Sequence, residues 1–291
     1  MTGFLIQLGG PLQSWGEHSA FNDRDTVAHP TRSGLIGMIA SALGISRDEA
    51  VTDPAGDGEP TPFSRLGQLR FTVRHDRPGV RMRDFHTVGG GLPAHRTVPT
   101  AKGGRRGAGQ TTIVSERHYL ADAVFTVAVT APGAPDAAGL TTACARALAA
   151  PHWPLHLGRR SCPPGAALVL AARVPDPVTE LLARVPLARP RPGTPHHPAP
   201  DADPEETVSV RFTADTPFPP GFPAPASSRA AVTTLNDDPV RLRPRDRAYR
   251  SRPSYTTSCR LPAHLCKGYG PEYLDALLAY AQPPATEGTD A

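Results

Sequence analysis

Three short stretches of the chain combine glycine, arginine and hydroxyl groups at spacings that suit a polyanion. Gly158-Arg159-Arg160-Ser161 sets two guanidinium groups on a glycine turn, and such pairs take phosphate oxygens or base edges. Pro30-Thr31-Arg32-Ser33-Gly34 opens a helical pattern, so free N–H groups, two hydroxyls and Arg32 gather at one helix start, where an anion fits. Gly9-Gly10-Pro11-Leu12-Gln13-Ser14-Trp15-Gly16 lets backbone approach a ligand closely, with the Gln13 amide for hydrogen bonding and the Trp15 ring for stacking. Each has a plain structural alternative: a solvated turn, ordinary capping with a surface arginine, and a tight turn with Trp15 as a core plug.

No catalytic signature accompanies them. There is no P-loop, no G-x-S-x-G, no H-E-x-x-H, and no G-x-G-x-x-G after a strand. His86 and His118 sit where a general acid or base for RNA cleavage can sit, and equally where polar contacts to RNA are made. The four cysteines form no CxxC pair, so they read as buried, reduced thiols of a cytoplasmic protein rather than zinc ligands or a disulfide framework. His196-His197 reads as part of a solvated linker. We expect no metal and no cofactor. No apolar run approaches the ~18 residues of a membrane span, and the first residues show no secretion signal.

The charge is concentrated. Residues 65–117 hold eleven Arg and Lys against three acids, and residues 241–260 hold seven Arg against one Asp, while the remainder is net negative despite an overall charge of +4. Two basic blocks on an acidic body point to a polyanionic partner.

The elements that must position these residues follow from periodicity. Phe4, Ile6 and Leu8 alternate with Leu5 and Gln7 in a first strand. Thr31 or Ser33 caps a helix through Leu35, Ile36, Ile39 and Leu43, closed by Gly44. Residues 69–74 and 124–130 make two more strands, residues 140–148 a second helix stopped by Pro151, and residues 168–174 a fourth strand. The order βαββαβ predicts an α+β, ferredoxin-like (RRM-like) core over 1–174. The aromatic RNP motif of RRM domains is absent, so base stacking on the sheet face is not expected.

Between the second and third strands lies an insertion, 76–121, far longer than a hairpin loop of ~2–5 residues. It is basic and glycine-rich, carrying Arg83, His86, Arg105, Arg106 and Arg117, and its charge favours a functional arm for a polyanion over the alternative, a disordered loop of no consequence. With few apolar residues, we expect the arm not to hold itself folded and its tip, near Gly103 to Gly109, to order on RNA. Residues 175–206 read as a Pro-rich linker, and 207–291 as a C-terminal extension with a strand at 207–213 and a short helix at 271–280.

Five blocks in succession, GGPLQSWG, PTRSGLIGMIASALGI, RDFHTVGG, ERHYLADAVFTVAV and PLHLGRRSCPPG, resemble the CasD subunits of type I-E CRISPR Cascade complexes. The resemblance covers Met1 to about Val174 and is looser beyond. It implies a non-catalytic subunit that caps the 5′ handle of crRNA in antiviral defence. It also implies an RRM-like core, a thumb lying across the RNA, and contacts to the backbone CasC and large CasA subunits. The insertion corresponds to the thumb, and Gln13, Trp15, Arg32, Ser33, His86, Arg159 and Arg160 to the RNA face. The alternative is a metal-independent endoribonuclease that processes precursor crRNA, as the related subunit of type I-C systems does with a Tyr, Lys and His set. Here the helix after Ser33 holds no Tyr, and Lys102, the arm's only lysine, is not followed by His.

Overall fold

In β1 (Gly3–Gly9) every residue from Phe4 to Leu8 is buried, on both faces of the strand. A strand buried on both faces must be covered from both sides, and the rest of the chain does this. The computed structural model describes residues 2–17, 22–52, 60–91, 93–97, 99–100, 103–107, 111–191, 206–219, 221–223, 230–244 and 246–281.

After β1 come two short strands, β2 (Leu12–Gln13) and β3 (Asp23–Arg24), then α1 (Arg32–Ala42) and α2 (Pro62–Leu66). Thr31 caps α1, its hydroxyl accepting the Gly34 N–H. β4 (Arg70–Arg77), β5 (Val80–Val88), β6 (Ile113–Ala121) and β7 (Val124–Thr130) follow. α3 (Ala137–Ala149), capped by Asp136, leads to β8 (Val169–Val174). The chain continues through α4 (Pro177–Ala183), β9 (Thr207–Ala214), β10 (Ala231–Arg243), β11 (Asp246–Pro262) and α5 (Pro271–Ala281).

The main sheet has seven strands in the order β10-β11-β9-β4-β7-β1-β8. All its neighbouring pairs are antiparallel, so the protein is a mixed α+β fold built on one antiparallel sheet with few helices. On one face Phe4, Ile6, Leu8, Phe71, Val127 and Val129 pack with Leu35, Ile36 and Ile39 of α1 and Cys144 and Leu148 of α3. On the other, Leu5, Ala128, Val210 and Phe212 pack with Leu181 after α4 begins and with Tyr273 and Leu277 of α5. Gln7 donates to the Tyr273 hydroxyl across that second core. The sheet therefore has no open face over β1, which agrees with the missing RNP aromatics.

The stretch 175–206, read above as a linker, carries a helix, α4, followed by buried Val185, Leu187 and Ala188. A buried ion pair pins it to the sheet. Arg74 meets Asp76 at 2.7 Å with both side chains 0% exposed, and the guanidinium also donates to the Leu181, Val185 and Pro186 carbonyls. Proline content signalled irregular backbone there and hid the burial. His196-His197 lies outside the described residues. Strands β9 and β11 extend the same sheet as β4 and β7, so the C-terminal part shares the core of the first.

The arm differs from expectation too. β5 and β6 pair antiparallel from Val80↔Ala121 to Val88↔Ile113, a ribbon continuing the β4–β7 hairpin. β2 and β3 pair with β6 and tie the ribbon's base to the body. Backbone pairing, rather than an apolar core, builds it: Val80, Met82, Phe85, Val88 and Val114 remain exposed. Toward the tip, Arg105 Nη1 donates to the Thr97 carbonyl at 2.7 Å, while residues 108–110 lie outside the described residues.

A candidate nucleic-acid groove

Three of the sequence-predicted contact residues are buried and committed to the protein itself. Gln13 is fully buried, its amide donating to the Leu8 and Ala123 carbonyls and its oxygen accepting from Trp15 Nε1 at 3.0 Å. Trp15 is 1% exposed and lies on Gly34, where an added Cβ would come within 2.8 Å of the indole. The plug alternative holds for Trp15, and no ring face is left for a base. Arg32 is 5% exposed; it meets Asp215 at 2.7 Å and Asp238 at 2.8 Å and donates to the Gly67 and Leu69 carbonyls. The start of α1 is also filled from within, because the Arg32 N–H donates to Asp237 Oδ2 at 2.7 Å. A carboxylate from 205 residues away occupies the position expected for a phosphate.

The remaining glycine–arginine motif builds a surface. Gly158 has φ of +94°, and a Cβ there would stand 1.7 Å from the Ser14 carbonyl, so only glycine makes this turn. The turn sends Arg159 inward: it donates to the His118 and Arg24 carbonyls and lies over the Tyr119 ring at 4.9 Å, bracing the ribbon base. Arg160 turns outward and makes no ion pair among the described residues. Beside it opens a groove of about 940 Å³. Its lining includes Ser33, Gly34, Gly37 and Ser41, the small residues along one side of α1. Added to them, among the described residues, are five arginines, Arg24, Arg47, Arg159, Arg160 and Arg247, against Asp25 as the lone acid.

Trp153 and Tyr249 also line the groove and are 39% and 42% exposed. Trp153 is held edge-on against His152, with ring centroids 4.6 Å apart. Guanidinium groups without an ion pair among the described residues, beside exposed aromatic rings, suit a single strand of nucleic acid, phosphates on the former and bases on the latter. Arg24, Arg47, Arg247, Trp153 and Tyr249 were not singled out from sequence. For Arg247 and Tyr249 the signal was the second basic block; for the others nothing local distinguishes them.

The ribbon carries the other predicted residues, on two faces. Cross-strand partners share a face, so His86, Ser115 and Arg117 lie on one side and Arg83 and His118 on the other. Arg83 is 67% exposed near Glu116, His86 pairs with Asp84 at 3.2 Å, and Arg117 donates to Ser115. His118 faces Asp23 at 3.4 Å and receives an N–H from Arg81. Arg105 and Arg106 lie toward the tip and are not part of the α1 groove lining. The cysteines are buried free thiols, with burial pushing Cys144 and Cys259 up to about 12. Among the described residues no cluster of metal-ligating groups occurs, and no helix is long and apolar enough to cross a membrane.

Fold and sequence together place the chain in a known group. Residues 3–255 match the family model described as CRISPR-associated protein (Cas_Cas5), and the chain belongs to that family. Over 160 residues, 55% of this chain, it is 34% identical to the CRISPR system Cascade subunit CasD of Escherichia coli (strain K12). That match spans 66% of the relative, just under two thirds of its length. A solved chain described as a CRISPR RNA-guided surveillance complex is 45% identical and superposes with a TM-score of 0.74, covering 96% of this chain and 99% of that one. Another, described as a Cas protein, is 26% identical with a TM-score of 0.54, covering 93% and 100%.

Proposed function

We propose that this protein is a non-catalytic, crRNA-binding subunit of a type I-E Cascade surveillance complex, working in the cytoplasm in antiviral defence and capping the 5′ handle of crRNA. The observation that carries this is the groove along α1, where Arg24, Arg47, Arg160 and Arg247 stand beside Trp153 and Tyr249 with no ion pair among the described residues. Similarity to a Cascade subunit and to a surveillance-complex chain supports the assembly. The β4-β7-β1-β8 order, with α1 and α3 on one face, supports the ferredoxin-like, RRM-like reading of the core. The β5–β6 ribbon is the thumb in this account, crossing the RNA with Arg83, His86, Arg117, Arg105 and Arg106. Its exposed Val80, Met82 and Val88, which share one face, offer a surface for the neighbouring CasC subunit, with CasA as a further partner. Target DNA is met through the complex, and no cofactor is needed.

His86 and His118 lie on opposite faces of the ribbon, which favours RNA contact over a joint acid–base pair for precursor cleavage. The test is binding of labelled 5′-handle RNA to the full chain and its Arg160→Ala and Arg247→Ala variants. Weaker binding by both variants is expected; unchanged binding refutes the groove.

A further inference from the structure

We propose that Asp237 and Asp238, with Arg32 and Arg252, form a latch that positions the tip of the β10–β11 hairpin on the groove. None of the four lines the groove, so they are positioning residues. The inference rests on the groove being the RNA site.

The hairpin needs such a device. β11 pairs with β9 over Tyr255–Pro262, so, among the described residues, 246–254 have β10 as their sole strand partner. A two-stranded ribbon alone is marginal at best in water. Its far end nevertheless brings Leu242, Arg247 and Tyr249 to the groove wall. Midway along β10 the register shifts between Leu235 and Asp238 and again between Pro239 and Arg241. Such irregularities bend a strand and re-aim its side chains. Here they bring consecutive carboxylates to the same end of α1, which a regular strand would send to opposite faces. Asp237 accepts the Arg32 N–H, and Asp238 takes Arg32 Nε at 2.8 Å.

From the other strand, Arg252 grips Asp237 at 2.6 Å and Asp215 at 2.9 Å, while Arg250 reaches Asp238 at 3.3 Å. The hairpin is thus tied to the first turn of α1, and through Asp215 to the sheet. A second tie, all to backbone carbonyls, runs from Leu242 N–H to Ala50, from Thr52 N–H and Oγ1 to Val240, and from Arg243 Nε to Asp48. The charged tie can be weakened while the second tie stays.

Asp238→Asn is the test, because Asp238 is 20% exposed and its loss leaves Asp237 capping α1. Two readouts are taken on the full chain. Hydrogen exchange of residues 241–250 should quicken while that of β1 and β7 stays unchanged. Affinity for labelled 5′-handle RNA should fall about tenfold, within the range of coupling through a two-state element. In an Arg247→Ala/Tyr249→Ala background the same substitution should change affinity less than about twofold, because the positioned groups are gone. Equal losses in both backgrounds overturn the latch, as does unchanged exchange. Faster exchange with unchanged RNA affinity overturns its role in binding. If Arg160→Ala has no effect on RNA affinity, it is the groove itself that fails.

Discussion

RNA held on the α1 groove should bind with a salt dependence set by its free guanidinium groups. Arg24, Arg47, Arg160 and Arg247 line the groove without an ion pair among the described residues, whereas Arg159 is spent on the His118 and Arg24 carbonyls. Each phosphate neutralised on a single strand contributes about −0.7 to the slope of log K against log salt, so four give about −2.8. Raising salt from about 50 to 200 mM then weakens binding about 50-fold. Any ribbon arginine that also meets phosphate steepens the slope, so this is a floor. The sharper figure is the difference on mutation: Arg160→Ala with Arg247→Ala should flatten the slope by about 1.4. Fluorescence anisotropy of labelled 5′-handle RNA, titrated with the full chain across a salt series, measures both. A variant slope equal to the native one, or a native slope near zero, refutes the electrostatic account.

Acid should destabilise the protein through His75, which burial among neighbouring cations holds far below its ordinary value of 6.5, down to about 3. The unfolded chain takes up that proton below about pH 6.5 and the folded one does not until about 3, so this stability is whole above pH 6.5 and is lost as pH falls through the window. Between pH 7.5 and 5 the loss is about 2 kcal/mol, and His75→Gln should remove it from the pH dependence of urea unfolding; an unchanged profile contradicts this. Asp76→Ala should cost about 3–5 kcal/mol by stranding buried Arg74 without its carboxylate, read as a fall in denaturation midpoint; a midpoint within error of native would show the pair idle. Purified protein incubated in excess with repeat RNA, without metal, should leave it intact; specific cuts lost in His118→Ala or His86→Ala would reinstate the endoribonuclease.

Much of the framework was legible because it is locally patterned. β1, α1, β7 and α3 carry a continuous apolar stripe or a clear cap, and Thr31 and Gly44 close α1 at both ends. The ribbon was not legible: the alternation of Val80-Arg81-Met82-Arg83 breaks at Asp84, and the strand buries little on either face. α4 is seven residues long and flanked by proline, which outweighs the burial of Pro177 and Leu181. The site motifs were found as stretches, but their roles depended on distant partners. Arg32 reads as a surface phosphate ligand until Asp215, Asp237 and Asp238 arrive from the far end of the chain. Trp15 reads equally as a stacking ring until Gly34 is seen beneath it. Arg24, Arg47, Trp153 and Arg247 belong to four separate segments, and only the fold gathers them.

The most direct test is where the RNA lies. A crRNA whose 5′ handle carries a photoreactive uridine, placed at each handle position in turn, can be assembled with the full chain and its complex, irradiated and mapped by mass spectrometry. Adducts on the peptides holding Trp153 and Tyr249, reduced when both are replaced by Leu, are the predicted result. Adducts that leave both peptides untouched and fall elsewhere on the protein would contradict the groove as the seat of the RNA.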